Sequence, residues 1–400
     1  MSRDPGAGHG QDSPSAQVKR APQGLDGASM AGHCVLPVTE ETMTPWPDRR
    51  LPDLFGIDLP ILQAPMAGST TPEMVIAVSE AGGLGALPSA QYDPAGLRAA
   101  LDQVRAGTRR PINVNFFCHQ APTPDPATEA RWRDRLAPYY RESGLVPPEG
   151  PAAAARAPFN ADFAAVVEAY RPEVVSFHFG LPAPDLLARV RQTGAKILSS
   201  ATTVAEARAL AAAGVDAVIA MGAEAGGHRG SFLDPAMATQ AGTMALVPQV
   251  ADAVAVPVIA AGGIADGRGV AAAVMLGAAG VQVGTAYLFT PEARVPPAHR
   301  AALARAGDDN TALTNLFTGR PARGVMNRLM REIGPLSPDA PAFPTAGAAL
   351  APLRQWAEAA GRDDFTNLWS GQAAALARET TSAELTRTLA ADARALLRWL

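Results

Sequence analysis

The sequence predicts a parallel (β/α)8 barrel, and three observations carry that prediction. Eight short apolar runs of β type recur along the chain, alanine- and leucine-rich helical runs lie between them, and the strands are apolar on both faces. Strands of that composition belong to parallel sheets covered by helices. Eight such units favour a closed TIM barrel over an open doubly wound sheet. The expected limits are a barrel over residues 46–290, a lid-like insertion after the third strand, and a mostly helical part over 291–400. That last part is expected to pack on the barrel and help cover its mouth.

Taken in order, residues 1–45 are rich in Gly, Pro, Ser and Asp and lack a basic start followed by an apolar stretch. They are expected to form a disordered tail and not a signal peptide. The first strand is expected in PILQAPM (60–66), followed by the helical run TPEMVIAVSEAG (71–82), then LGALPS (84–89) and DPAGLRAALDQVRAG (93–107). PINVNFF (111–117) gives the third strand, after which a Pro- and Ala-heavy insertion over 118–158 breaks the rhythm. NADFAAVVEAY, VVSFHFG (174–180), APDLLARVRQTG, KILSS (196–200), TVAEARALAAAG and DAVIAMG (216–222) restore it. The last two strands are PVIAAGG (257–263) and GVQVGTAYL (280–288), with GRGVAAAVMLGA between them. Several helical runs close on glycine, as a helix C-terminus prefers. Insertions at strand C-termini face the end of a barrel where active sites lie, so both insertions are lid candidates.

Composition narrows the function. Charged residues make up only 18% of the chain and the net charge is −4, which leaves no clustered Lys/Arg surface for nucleic acid. Cys34 and Cys118 fit neither a disulfide framework nor a zinc spacing, so no metal is expected and a cytoplasmic setting is the default. The charge-free run over 269–291 contains Gly277, Gly280 and Gly284 and passes from a helical to a β-type pattern. It is expected to be a buried helix and strand, not a membrane span.

Read as a barrel, the residues with chemical character all fall at strand C-termini: Pro65, Met66, Asn115, His178, His228, Gly262, Gly263, Gly284 and Thr285. The glycine pair ending the seventh strand and the Gly-Thr ending the eighth expose backbone N–H groups and a hydroxyl on adjacent loops, an arrangement suited to phosphate. QAPMAG places small residues and a proline-fixed backbone at the mouth, suited to lie against a flat ring. Asn115 projects an amide from the top of the third strand and Asn113 points the same way one layer lower, so either is a candidate core amide. In GAEAGGHRGS (222–231), His228 follows two glycines with little bulk around it. An imidazole with an ordinary pKa near ~6.5 is suited to take a proton from a carbon acid near neutral pH. Glu224 is expected to cap or orient this loop, and Arg229 to be a solvated charge. His178, flanked by Phe177 and Phe179, is expected to be a secondary pocket residue with one satisfied nitrogen.

QAPMAG, AGGLG, NVNFF, SFHFG, EAGGHRG, IAAGGI and VQVGTAYLF, in this order, closely resemble the nitronate monooxygenases, formerly called 2-nitropropane dioxygenases. The resemblance runs from about residue 51 to about 375 and includes GRPARGVMNRLM and LWSGQAA. It implies a TIM barrel holding non-covalent FMN. By position, Ala64, Pro65, Met66 and Ala67 would line the isoalloxazine, Asn115 would bond to it, and Gly226 would approach it closely. Gly262 and Gly263, with Gln282, Val283, Gly284 and Thr285, would hold the phosphate side. His228 would be the catalytic base, with Gly226 and Gly227 letting the backbone pass close to the flavin. Met221 stands where relatives usually have glutamine; a side-chain bond to the flavin is lost there while the backbone keeps its place.

The activity so implied is oxidation of alkyl nitronates by O2 to a carbonyl compound and nitrite, neutral nitroalkanes first losing a proton to His228. The expected partners are a small nitronate and O2, with no nucleic acid or membrane, in a monomer or homodimer. Two alternatives stand beside it: an FMN-dependent NAD(P)H:quinone or enoyl-thioester reductase on the same barrel, and a non-redox phosphate-binding barrel.

Overall fold

Eight parallel strands close into a barrel in the computed structural model, which describes residues 46, 48–149 and 156–398. The expectation of a disordered tail over residues 1–45 falls outside them. The strands are β1 (Ile61–Gln63), β2 (Gly85–Pro88), β3 (Ile112–Phe117), β4 (Val174–His178), β5 (Lys196–Ala201), β6 (Ala217–Met221), β7 (Val258–Ala261) and β8 (Gly280–Val283). Their order is β1–β8–β7–β6–β5–β4–β3–β2. A parallel bridge from Leu62 to Leu84 joins β1 to β2 and closes the ring, with Leu84 N–H donating to Ile61 O at 2.9 Å and Gln63 N–H to Leu84 O at 3.0 Å.

Nearly every strand residue is buried, because one face fills the barrel and the other meets the outer helices. Ile219, Ile259, Leu62 and Leu198 pack inside the barrel core, while Val114, Val175, Val218 and Val281 meet the helical layer. The outer helices start on side-chain caps that satisfy free N–H groups. Thr71, Asp93, Asn160, Thr203 and Asp266 each accept from the first turn of the helix that follows.

The C-terminal part does more than the expected covering. The helix Ser382–Leu397 packs against the helices Gly267–Met275 and Pro72–Glu80 and places Leu385, Leu389, Ala390 and Ala393 in the main core. It therefore occupies the position of the eighth outer helix. Tyr287 Oη and Thr386 Oγ1 lie 2.8 Å apart, and Glu292 accepts from Ser382 N–H at 3.1 Å. Residue 290 thus marks the start of a long insertion between the last strand and its helix, and does not divide the core.

That insertion contains two strands as well as helices. β9 (Thr311–Thr314) and β10 (Ala322–Val325) form a hairpin, and β10 pairs antiparallel with the two-residue strand Gly227–His228. The insertion after β3 carries the helix Pro126–Ser143, whose Trp132, Leu136, Tyr139 and Tyr140 join Leu316, Phe317, Leu329, Leu350 and Leu353 in a separate core. Trp132 Nε1–H donates to Ala346 O at 3.1 Å and Tyr140 Oη to Ala349 O at 2.7 Å. The two insertions pack on one another, since each buried Leu or aromatic contributes about 1.5–3 kcal/mol on leaving water. Among the described residues no helix is long and apolar enough to cross a membrane. The charge-free run over 269–291 resolves into the end of the helix Gly267–Met275, β8 and a 3-10 turn.

Candidate active site

A cavity of about 470 Å³ opens at the C-terminal ends of the barrel strands, within the size range of cofactor and ligand sites. It brings together Ala64, Pro65, Met66, Ala67, Asn115, His178, Met221, Gly226, His228, Gly262, Gly263, Gln282, Gly284 and Thr285. Val283 stays outside: its side chain is buried in the core, and its carbonyl accepts from Ala64 N–H at 2.8 Å. Its contribution is to hold the β1 loop from behind.

The wall after β1 is rigid. Gln63 accepts from Ala86 N–H at 2.8 Å and donates to Thr70 Oγ1 at 3.0 Å, while Thr70 Oγ1 accepts from Met66 N–H at 3.1 Å. On β3 the two amides part company. Both Asn113 and Asn115 donate to Ser176 Oγ, at 2.9 and 3.0 Å, but only Asn115 lines the cavity. Asn113 is the core amide, with its Oδ1 enclosed and unpartnered.

Opposite lie the β7 and β8 loops. Gly262 and Gly263 adopt φ of 109° and 70°, a region side chains rarely enter. The N–H groups of Gly263, Gly284 and Thr285 make no hydrogen bond among the described residues, and Gln282 Oε1 is buried without a donor. Groups left open in this way are suited to a ligand that carries both phosphate oxygens and N–H or hydroxyl donors. Thr285 Oγ1 accepts from Gly371 N–H at 2.9 Å, which leaves its own proton to donate.

The loop after β6 holds the histidine. Arg229 is not a solvated charge: it is fully buried, donating to Met221 O at 2.7 Å, to Gly222 O, and to Gln240 Oε1 at 2.6 Å. Small neighbours in the sequence left room for the guanidinium to turn inward onto carbonyls. Glu224 caps the helix Thr243–Ala253, accepting from Thr243 N–H at 2.8 Å and from its hydroxyl at 3.0 Å. Gly226 lines the cavity, yet a Cβ there would lie 2.5 Å from Gly371 N and 2.7 Å from Ser370 C. The requirement for glycine comes from the Ser370–Gly371 turn.

His228 is enclosed by Phe117, Phe179, Phe343 and Trp369, with ring centroids 6.2, 6.1, 5.3 and 5.5 Å away. Its Nε2 lies 3.0 Å from Thr318 Oγ1. His178 has both nitrogens occupied, one more than expected: Nδ1 is 2.6 Å from Ser200 Oγ and Nε2 is 3.1 Å from His228 O. Burial, with Arg320 second, pushes His178 down to about 3. Burial, then the positive charge of Arg156, coupling to the His178 ring, the charge of Arg320 and coupling to His119, holds His228 well below the ordinary imidazole range. Arg320 lies 3.9 Å over the Phe179 ring, and Phe179 takes a left-handed φ of 71°, costing on the order of 1–2 kcal/mol. The result is a neutral imidazole in a positive surround, a setting that favours an anionic ligand.

Among the contributors that escape sequence reasoning are Arg156, which lines the cavity, Thr318, Trp369 and His299, whose Nε2–H donates to Trp369 O at 2.9 Å. Trp369 lay inside the LWSGQAA motif without an evident role. Thr318 and His299 carried no local signal. Among the described residues no cluster of His, Cys, Asp or Glu is arranged to hold a metal.

Comparisons with known proteins agree with this architecture. The family model for nitronate monooxygenase matches residues 48–392. A nitronate monooxygenase of Pseudomonas aeruginosa is 43% identical over 357 residues, covering 86% of this chain and 99% of the relative. Among solved structures, a nitroalkane oxidase from Streptomyces ansochromogenes superposes with a TM-score of 0.78 at 38% identity, covering 88% of this chain and 99% of that one. FabK from Thermotoga maritima is more distant, with a TM-score of 0.64 at 29% identity over 88% of this chain and 97% of its own. With the family model spanning the barrel and both insertions, the chain belongs to the nitronate monooxygenase family.

Proposed function

We propose that this chain binds FMN in the barrel-mouth cavity and oxidises alkyl nitronates with O2 to carbonyl compounds and nitrite. The observation that carries the reading is His228, a neutral imidazole lining the cavity beneath a positive field that attracts an anion without protonating the base. The residues present suit the cofactor. Gly263, Gly284 and Thr285 offer free N–H groups for the phosphate, Gln282 Oε1 offers an unused acceptor, and Ala64 to Ala67 give a flat wall. FMN, when bound, supplies the two-electron redox chemistry.

Asn115, whose amide N–H groups are held by Ser176 O and Oγ, lines the cavity and would bond to the ring of FMN. The aromatic walls of Phe117 and Trp369 exclude water from the reacting carbon. A nitronate is already deprotonated, so His228 has only to accept its negative charge nearby. A neutral nitroalkane must first give its α-proton to the His228 imidazole, whose conjugate acid the product anion then stabilises.

The test is direct. Purified protein is expected to be yellow, to release FMN on heating, and to yield nitrite from ethyl nitronate under air. Rapid bleaching of the flavin by anaerobic NADH, without nitrite production, overturns the reading in favour of an NAD(P)H-dependent reductase. Colourless protein that takes up no FMN overturns it in favour of a non-redox phosphate-binding barrel.

A further inference from the structure

His228 has two nitrogens, and only one can serve as a base at a time. Which one is set by the hydrogen bond the other makes. Nε2 lies 3.0 Å from Thr318 Oγ1, and the Thr318 hydroxyl in turn donates to Arg320 O at 3.3 Å. Nδ1 has no protein partner among the described residues and is not enclosed, since the ring lines the cavity.

We infer that Thr318 is a positioning residue that fixes the tautomer of His228 with the proton on Nε2, leaving the Nδ1 lone pair turned to the cavity as the proton acceptor. Counting the bonds decides between the two forms. With the proton on Nε2, the chain Nε2–H to Oγ1, Oγ1–H to Arg320 O is complete and no donor is stranded. With the proton on Nδ1, the Thr318 hydroxyl must turn to Nε2. Arg320 O then loses its donor, and Nδ1–H points into the cavity without an acceptor. Leaving the Arg320 carbonyl without its donor is costly, whereas the completed chain leaves open only the Nδ1 lone pair, which faces the cavity.

The loop that carries Thr318 is held in place. It connects β9 to β10, and Gly319 N–H donates to Asn315 O at 2.8 Å. Gly319 has φ of 88°, and a Cβ on it would lie 2.0 Å from Pro341 O. Thr318 is thereby fixed between the hairpin and the segment around Phe343, on the side of His228 away from the open nitrogen. The far end of the β6 loop is tied as well, because His178 Nε2–H donates to His228 O. Backbone and ring are oriented by different residues.

The inference rests on the reading of His228 as a base, and its test separates the two. In the FMN-loaded protein labelled with 15N-histidine, His228 (assigned by its loss in His228→Gln) is expected to show the Nε2–H pattern in long-range 1H–15N spectra at pH 8. Thr318→Val keeps the shape but removes the acceptor; it is expected to move that pattern toward Nδ1–H. The same variant is expected to lower kcat/KM for neutral nitroethane roughly 10-fold, part of the ~10²- to 10⁴-fold that a general base supplies. Turnover of preformed ethyl nitronate is expected to change little. Thr318→Ser restores both the spectrum and the rate. An unchanged Nε2–H pattern in Thr318→Val, or an Nδ1–H pattern in the parent protein, overturns the inference. If the tautomer shifts while nitroethane turnover holds, the role of Thr318 in catalysis is overturned and the base reading fails with it.

Discussion

The Nε2–H of His178 donates to the main-chain carbonyl of His228 across 3.1 Å, while Ser200 supplies the proton that His178 Nδ1 accepts at 2.6 Å. Both ring nitrogens are spent on structure, so His178 has no lone pair left for a substrate. Its work is to hold the strand Gly227–His228 against the barrel from one side as β10 holds it from the other. Replacing His178 by Ala breaks two buried hydrogen bonds, a loss of about 1–3 kcal/mol, and lets that strand shift. The variant is expected to melt lower and to turn over nitronates and neutral nitroalkanes more slowly by a similar factor. A selective loss on neutral substrates would instead mark His178 as the base.

Buried neutral histidines also set the acid limit of the fold. His178 titrates at about 3 in the folded protein, against about 6.5 when unfolded, so between these values the unfolded chain binds one more proton. Stability is therefore fully present above pH 6.5 and falls as pH drops through the window, by about 1.4 kcal/mol per pH unit for this group. His228 adds to the slope in the same direction, its folded pKa being lowered too. Denaturant titrations at pH 7.5 and 5.0 are expected to show the parent losing more stability than His178→Gln. Equal losses would mean that His178 accepts a proton within the native structure.

The eight strands and most of the cavity lining were legible because they depend on local pattern. Two-sided apolar runs identify parallel strands, and a glycine pair, an asparagine or a histidine at such a run's C-terminus stands out against it. What escaped was set by distant partners. Thr318 lies 90 residues from His228 in the chain, and nothing around it marks its hydroxyl. The amphipathic pattern of the C-terminal helix shows an apolar face, not which gap in the barrel that face fills. Arg229 reads as a surface charge until the β6 carbonyls that receive it are in place. Gly226 reads as room for a cofactor; it lines the cavity, and its missing Cβ also makes room for Gly371 N, which nothing local signals.

The β7 loop gives a prediction on cofactor binding that is independent of catalysis. Gly263 has φ of 70°, and its Cβ position abuts the Glu224 side chain at 3.4 Å. A leucine there is strained in the left-handed region by about 1–2 kcal/mol and fills the space beside the free N–H groups. Gly263→Leu is expected to remain folded by circular dichroism and to be purified without flavin. Full flavin occupancy in this variant would place the phosphate elsewhere.

Removing the imidazole gives the sharpest test of its role. If His228 takes the α-proton, His228→Ala is expected to depress turnover of neutral nitroalkanes far more than that of preformed nitronates, whose proton is already gone. General-base catalysis supplies ~10²- to 10⁴-fold, so the gap between the two substrates is wide enough for steady-state kinetics. Flavin is expected to stay bound, because the open N–H groups lie on the β7 and β8 loops and the Gln282 acceptor on β8 itself. Because burial and the surrounding arginines hold the imidazole neutral well below its usual range, the parent's acid limb on neutral substrates is expected below pH 6.5. Arg320→Leu removes one of those charges, so the limb is expected to move upward. Equal losses on both substrates in His228→Ala would show that the ring stabilises or positions the anion and abstracts nothing, and an unchanged acid limb in Arg320→Leu would remove Arg320 from its control.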